Sequence, residues 1–153
     1  MRKLVKPQAF VPAMILMAAW SPGAVAQETV SLNVHAEGLR STKGQVIFCL
    51  WRESAVQGFP TCEKGKPAAK LTAPATDPVV TFTGLTPGKY AVSYGQDDDG
   101  DGHPQANFLG IPTSAVGLSN NPKVSMKPPS FKSAGLDISA DTSITIKAIY
   151  PGS

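Results

Sequence analysis

The chain has 153 residues, 42% of them hydrophobic, and carries 14 basic against 11 acidic side chains for a formal net charge of +3. Arg2, Lys3 and Lys6 account for that whole excess, so the remainder is formally neutral. With no arginine-rich stripe and no basic patch interleaved with aromatics, nucleic-acid binding is not expected.

Residues 1–26 read as a signal peptide. A short positive region is followed by the apolar stretch Ala9 to Trp20, and Ala24-Val25-Ala26 gives the small-x-small pattern that precedes cleavage, here before Gln27. Pro12, Pro22 and the shortness of the apolar run argue against a transmembrane anchor, so no membrane span is expected after cleavage. Residues 27–153 are long enough for a single domain, expected in the periplasm or outside the cell. Both cysteines, Cys49 and Cys62, fall in this exported part, where an oxidising compartment favours a disulfide over two free thiols or a metal pair.

The exported part reads as strands separated by turns, with no helix. Thr29 to Glu37 alternates, with Val30, Leu32, Val34 and Ala36 on one face. Gln45 to Trp51 is apolar on both faces, which suits a central or covered strand, and Trp51 is expected in the core rather than as a stacking platform for a ligand. Glu53 to Pro78 is a polar excursion tied back by Cys62; Ala68 to Ala73 within it suits a short strand or a helical turn. Val79 to Thr83 and Lys89 to Gln96 flank Gly84-Leu85-Thr86-Pro87-Gly88 and predict a hairpin. From Asp97 to Phe131 periodicity is lost, and prolines recur while Phe108, Leu109, Ile111, Val116, Leu118 and Phe131 are expected to anchor an ordered excursion against the sheet. Leu136 to Ser139 and Ser143 to Tyr150 predict two closing strands. The sum is an all-β fold, an immunoglobulin-like or prealbumin-like antiparallel β-sandwich with one long ordered loop.

The chemically most specific stretch is Asp97-Asp98-Asp99-Gly100-Asp101-Gly102. Asp97, Asp99 and Asp101 have the alternate spacing that lets a turning backbone converge carboxylates on one hard cation, calcium above all, and Asn107 offers an amide oxygen. The same run also suits a solvated Asp/Gly turn. Its start follows the helix-loop-helix calcium loop, but Phe108 stands where the closing bidentate glutamate belongs, and no amphipathic helices bracket it. For acid–base chemistry the local pair is Asp101 with His103, in a very polar setting; no nucleophile elbow, phosphate loop or metallohydrolase histidine cluster accompanies it.

Leu39 with Gly44, Phe82-x-x-Leu85-x-Pro87-Gly88-x-Tyr90-Ala91-Val92, the acidic run, Gly110-Ile111-Pro112, Gly117-Leu118-Ser119-Asn120-Asn121 and Pro129-Ser130-Phe131-x-x-Ala134 form an ordered series over about Val30 to Tyr150. In that order they closely resemble the exported bacterial domain-of-unknown-function family 2141. The segment Phe82 to Val92 also resembles part of a transthyretin-like or carboxypeptidase-regulatory-like β-sandwich, which bears on architecture alone. The family resemblance implies export and a β-sandwich, and it makes Asp97, Asp99, Asp101 and Asn107 the acidic-loop positions. The chain departs from the family pattern at Ser114, where an acidic residue is usual, and at His103-Pro104. The resulting expectation is an exported binding or structural accessory module of the cell envelope, contacting an envelope protein or a glycan and stabilised by calcium. The alternative is a small metal-assisted hydrolase or glycan-active enzyme using Asp101 and His103.

Overall fold

The structure is a computed structural model describing residues 3–5, 7–9, 21–125 and 127–152. The apolar stretch of the expected signal peptide lies almost wholly outside the described residues. Among the described residues no helix is long and apolar enough to cross a membrane.

Two sheets face one another. Strands β1 (Val30–Glu37), β4 (Val79–Leu85) and β8 (Thr142–Lys147) form a three-stranded sheet in the order β4-β1-β8. Strands β2 (Gln45–Arg52), β3 (Ala69–Pro74), β5 (Gly88–Asp97) and β6 (Val116–Leu118) run in the order β3-β2-β5-β6, and β7 (Leu136–Ile138) pairs with β5 beyond β6. The alternation read from the sequence sets the core: Leu32, Val34 and Ile146 from one sheet meet Phe48, Leu50, Val92 and Tyr94 from the other, all buried. Each such side chain contributes about 1.5–3 kcal/mol on leaving water.

Strand β2 is buried on both faces, as its continuous apolar run predicts. Its second face carries Ile47, Cys49 and Trp51, which pack with Ala91, Leu118 and Ala134 beneath Phe59 and Phe131. Trp51 is a core residue: its ring meets Phe59 edge-on at 5.5 Å, and its Nε1 donates to Ser93 Oγ at 2.8 Å. Cys49 and Cys62 are joined as a disulfide with Cα atoms 6.0 Å apart.

The structure corrects the sequence reading in several places. The segments flanking Pro87-Gly88 are not a hairpin, because β4 pairs with β1 and β5 with β2, so the turn carries the chain from one sheet to the other. Both strands point apolar residues inward, and placing them in opposite sheets buries those faces against each other. The corner is fastened by Tyr90 Oη, which donates to the Thr86 carbonyl at 2.6 Å, and by Arg52, whose Nη2 donates to Thr86 Oγ1 and to Tyr90 Oη. The sandwich is not wholly antiparallel, since β8 runs parallel to β1. A one-turn helix, α1 (Phe131–Ala134), interrupts the long excursion, N-capped by Ser130. Of the two readings open for Ala68 to Ala73, the strand is the one found: Ala69–Pro74 is an edge partner of β2. Finally, Phe108 and Leu109 anchor nothing: they are 95% and 67% exposed.

The motif Gly117 to Asn121 has a structural role. Strands β6 and β7 lie end to end along β5, and Ser119 fills the gap: its Oγ accepts from Val92 N at 2.9 Å and donates to the Ala134 carbonyl. Asn121, held at a positive φ of 44°, donates through Nδ2 to Thr145 O and accepts at Oδ1 from Lys147 N, so one side-chain amide continues the ladder along β8.

Candidate functional site

The acidic loop begins where β5 ends. Asp97 lies on the outer face of the five-stranded sheet, opposite Gln45 in the β2–β5 register, and is fully buried. Its Oδ1 accepts from Gly100 N at 2.8 Å, and its Oδ2 accepts from Gly102 N at 2.9 Å and from Gln45 Nε2 at 3.0 Å. Burial pushes this carboxyl up, but the N–H groups of Gln45, Gly102 and Gly100, with a side-chain hydrogen bond shared with the Asp99 carboxyl, together outweigh it and hold Asp97 below the usual carboxylate range. Positive φ angles at Gly100 (78°) and Gly102 (91°) let their amides turn inward. Asp99 Oδ1 accepts from Asp101 N, and Asp101 Oδ1 accepts from His103 N, so the run is a succession of Asx turns.

The structure brings Asp97, Asp99 and Asp101 together, with one carboxylate oxygen of each within 4.8 Å of the others; Asp97 is buried and the other two are exposed. It does not give the same use to Asn107, whose Oδ1 accepts from Leu109 N at 3.0 Å and Ile111 N at 3.1 Å and is thereby occupied. Asp101 and His103 also have different partners. The carboxylate meets the backbone amide of His103, while the imidazole Nδ1 faces Glu63 Oε1 at 3.0 Å. The hydrogen bond and the charge of Glu63 raise the His103 pKa, Asp101 adds to the rise, and slight desolvation and Lys70 oppose it. The imidazole is thus exposed and paired at the surface with Glu63, in contact with neither carboxylate oxygen of Asp101. Ser114, at the position where the resemblance would place an acid, is buried and donates to the Gln96 carbonyl at 2.8 Å.

Beyond the acidic run the chain makes a tight, tied loop. Asp98 N donates to Gln105 Oε1, Thr113 N returns to Gln105 O, and Ala106 bridges to Pro112. Asn107 closes the tip through its two side-chain bonds and through Asn107 N to Ile111 O at 2.9 Å. The tip therefore holds Phe108 and Leu109 outward on a fixed backbone.

Between this loop and the disulfide loop, on the outer face of the five-stranded sheet, lies a groove of ≈ 600 Å³. Ile47, Ser93, Gly95 and Leu118 line its floor, a cross-strand array fixed by the β2–β5–β6 register. Pro104 packs directly on Gly95, where a Cβ would come within 2.3 Å of the proline Cγ. One wall runs from Pro60 to Lys64 and is fastened by the disulfide; a second contains Gly102 to Pro112; a third comes from Val124, Ser125 and Lys127 to Pro129. The His103–Glu63 pair joins the first two walls. Among the described residues, four charged ones line the groove: Glu63, Lys64, Lys70 and Lys127.

Sequence reasoning pointed to the segment Asp97 to Phe131 but missed the opposing wall and the lysines. Isolated lysines in a polar stretch look like any solvated surface. Only their spacing from Cys62, and the position of Lys70 opposite Cys49 in the β2–β3 register, distinguishes two of them.

No curated protein and no solved structure matches the chain. Residues 34–147, most of the chain and every strand of the sandwich except the first four residues of β1, match the family described as "Uncharacterized protein conserved in bacteria (DUF2141)". The order of motifs and the β-sandwich point the same way, and the chain belongs to this DUF2141 family.

Proposed function

We propose that the protein is an exported β-sandwich binding module of the bacterial cell envelope, and that its ligand or partner is taken in the groove on the outer face of the five-stranded sheet. The groove itself carries this reading. Its ≈ 600 Å³ falls within the range of about 300–1,000 Å³ typical of ligand sites, and its walls are fastened to a rigid floor by a disulfide and by the tied loop Asp97 to Ser114. The disulfide supports export, since such bonds persist in oxidising compartments. The sequence-based expectation names an envelope protein or a glycan as partner; the groove supports a ligand site, and its lining decides which chemical class fits it.

The test is native mass spectrometry of the protein recovered from its own envelope fraction, beside an Ala106→Trp variant. Ala106 is exposed and lines the groove, so the indole fills the site without entering the core. A bound component on the wild type that is absent from the variant is the expected result. Identical spectra, with nothing bound to either, would overturn the reading. N-terminal sequencing of the same sample is expected to begin at Gln27.

A second reading concerns the acidic loop, favoured by the convergence of the Asp97, Asp99 and Asp101 carboxylates. A calcium ion there would lock the loop that forms one wall of the groove. Both oxygens of Asp97 already accept N–H groups and Asn107 is occupied, so the set falls short of the six to eight oxygens calcium prefers, and a weak site in the millimolar range is expected. Titration calorimetry together with melting curves decides it. No heat and no rise in Tm at about 5 mM calcium, well above the millimolar affinity of weak extracellular sites, would remove the metal from the proposal.

A further inference from the structure

We infer that the groove takes the hydrocarbon chain of an anionic amphiphile, a long-chain carboxylate, with its head group at Lys64, Lys70 and Lys127. This rests on the groove being the ligand site. The argument is one of complementarity. The interior surface is made largely of aliphatic side chains and proline rings, including Ile47, Pro104, Ile111, Val116 and Leu118. Of the four charged residues lining it, the single carboxylate, Glu63, is already paired with His103 at 3.0 Å. Among the described residues none of the three lysines makes an ion pair. The groove thus presents apolar area together with three lysines outside any ion pair, and the matching ligand is apolar with one negative end.

The other classes of occupant fit less well. A glycan wants a stacking ring and open hydrogen-bonding groups. Here Trp51 is sealed beneath Phe59, and the floor hydroxyl, Ser93 Oγ, is buried and accepts from Trp51 Nε1. An extended peptide that binds by strand addition takes a free sheet edge. The floor of the groove is a sheet face instead, where β5 is paired with β2 on one side and with β6 and β7 on the other. An acyl chain asks only for apolar surface of the right volume.

The experiment is calorimetric titration of the full exported chain with three twelve-carbon amphiphiles below their micelle concentrations: dodecanoate, dodecyltrimethylammonium and dodecyl maltoside. Decanoate and tetradecanoate extend the series. Dodecanoate is expected to bind one to one, at least tenfold more tightly than the cation, with affinity rising roughly tenfold for each two methylenes. Replacing Lys64, Lys70 and Lys127 together by glutamine should erase the preference for the anion while leaving chain-length dependence. Ala106→Trp, or Val124→Trp should the first variant fold poorly, should weaken every amphiphile. Equal affinity for anion and cation would overturn the proposed ligand class, while loss of binding in Ala106→Trp would still uphold the groove as the site. Absence of binding by all amphiphiles, with a different component stripped from the native protein by Ala106→Trp, would likewise overturn the class alone. Indifference of both measurements to Ala106→Trp would overturn the class and the groove together.

Discussion

The two faces of the five-stranded sheet are built on the same strands and closed in different ways. The inner face of β2 and β5 is covered by the opposite sheet, side chain against side chain, with Phe48, Leu50, Tyr90 and Val92 fully buried. The outer face is covered by loops: a disulfide-tied segment, a one-turn helix and the proline-rich excursion after the acidic run. Side chains presented by strands at regular spacing fill an interior completely. Loops fastened at a few points leave gaps between the fastenings, and the ≈ 600 Å³ groove is one such gap. The inner face makes the fold stable; the outer face has room for a ligand.

That contrast is broken most directly from the inside. Phe48→Ala empties the centre of the core, where the ring lies 5.5 Å from that of Tyr94, and is expected to cost about 3–5 kcal/mol in urea unfolding. The outer face should respond less. Replacing Cys49 and Cys62 by alanine removes a crosslink spanning 13 residues and is expected to cost about 3 kcal/mol in the chain-entropy model. Its distinctive signature is elsewhere: the Pro60 to Lys64 wall loses its tether, so any groove ligand should bind more weakly even at temperatures where the variant stays folded. A disulfide variant that is destabilised but binds normally would separate the wall from the site.

How far the sequence revealed each face follows from the same physics. Strand periodicity is imposed by the pleat, so Val30, Leu32, Val34 and Ala36 could be assigned to one buried face from spacing alone, and the double-sided burial of β2 from its unbroken apolar run. Pairing is not imposed by local spacing. Pro87-Gly88 fits a hairpin and an inter-sheet corner equally well, and what selects the corner is the distant Arg52 together with Tyr90. On the outer face, hydrophobicity alone misled. Phe108 looked like an anchor because it is aromatic, yet Asn107 spends its side chain fixing a tip that holds the ring in solvent. The three aspartates were legible as a converging set. That their first member is buried and largely satisfied by Gly100, Gly102 and Gln45 depends on the register of β2 against β5, which no motif encodes.

Asp97 fastens the outer-face loop to the sheet, and its substitution sharpens the comparison. Asp97→Asn keeps the shape but exchanges a carboxylate that accepts three N–H groups for an amide that accepts at one end only, with an expected loss of about 2 kcal/mol. The pH dependence has a definite sign. The folded carboxyl titrates below its ordinary value of 3.8, so its contribution is present above that value and disappears as pH falls through the lower folded value. Wild-type stability should therefore decline on the acid side by more than that of Asp97→Asn. Parallel acid limbs for the two proteins would mean that the loop is held by something other than this charge.

The smallest expected effect lies at the rim, and it runs the opposite way with pH. His103 is raised above 6.5 by the hydrogen bond and charge of Glu63, so its contribution is complete below the ordinary histidine value and vanishes as pH rises through the raised one. Both partners are solvent-accessible, so the stability at stake is that of an ordinary surface pair and is screened by salt. Thermal melts of His103→Gln should thus differ slightly from wild type at about pH 6 and converge with it as pH rises through the raised histidine value, with the difference shrinking further at high salt. The pair nevertheless joins two groove walls, so its effect on binding should exceed its effect on melting. If opening it at high pH leaves ligand affinity untouched, the walls are held by the disulfide and the Asp97 turn alone, and the rim pair is only surface charge.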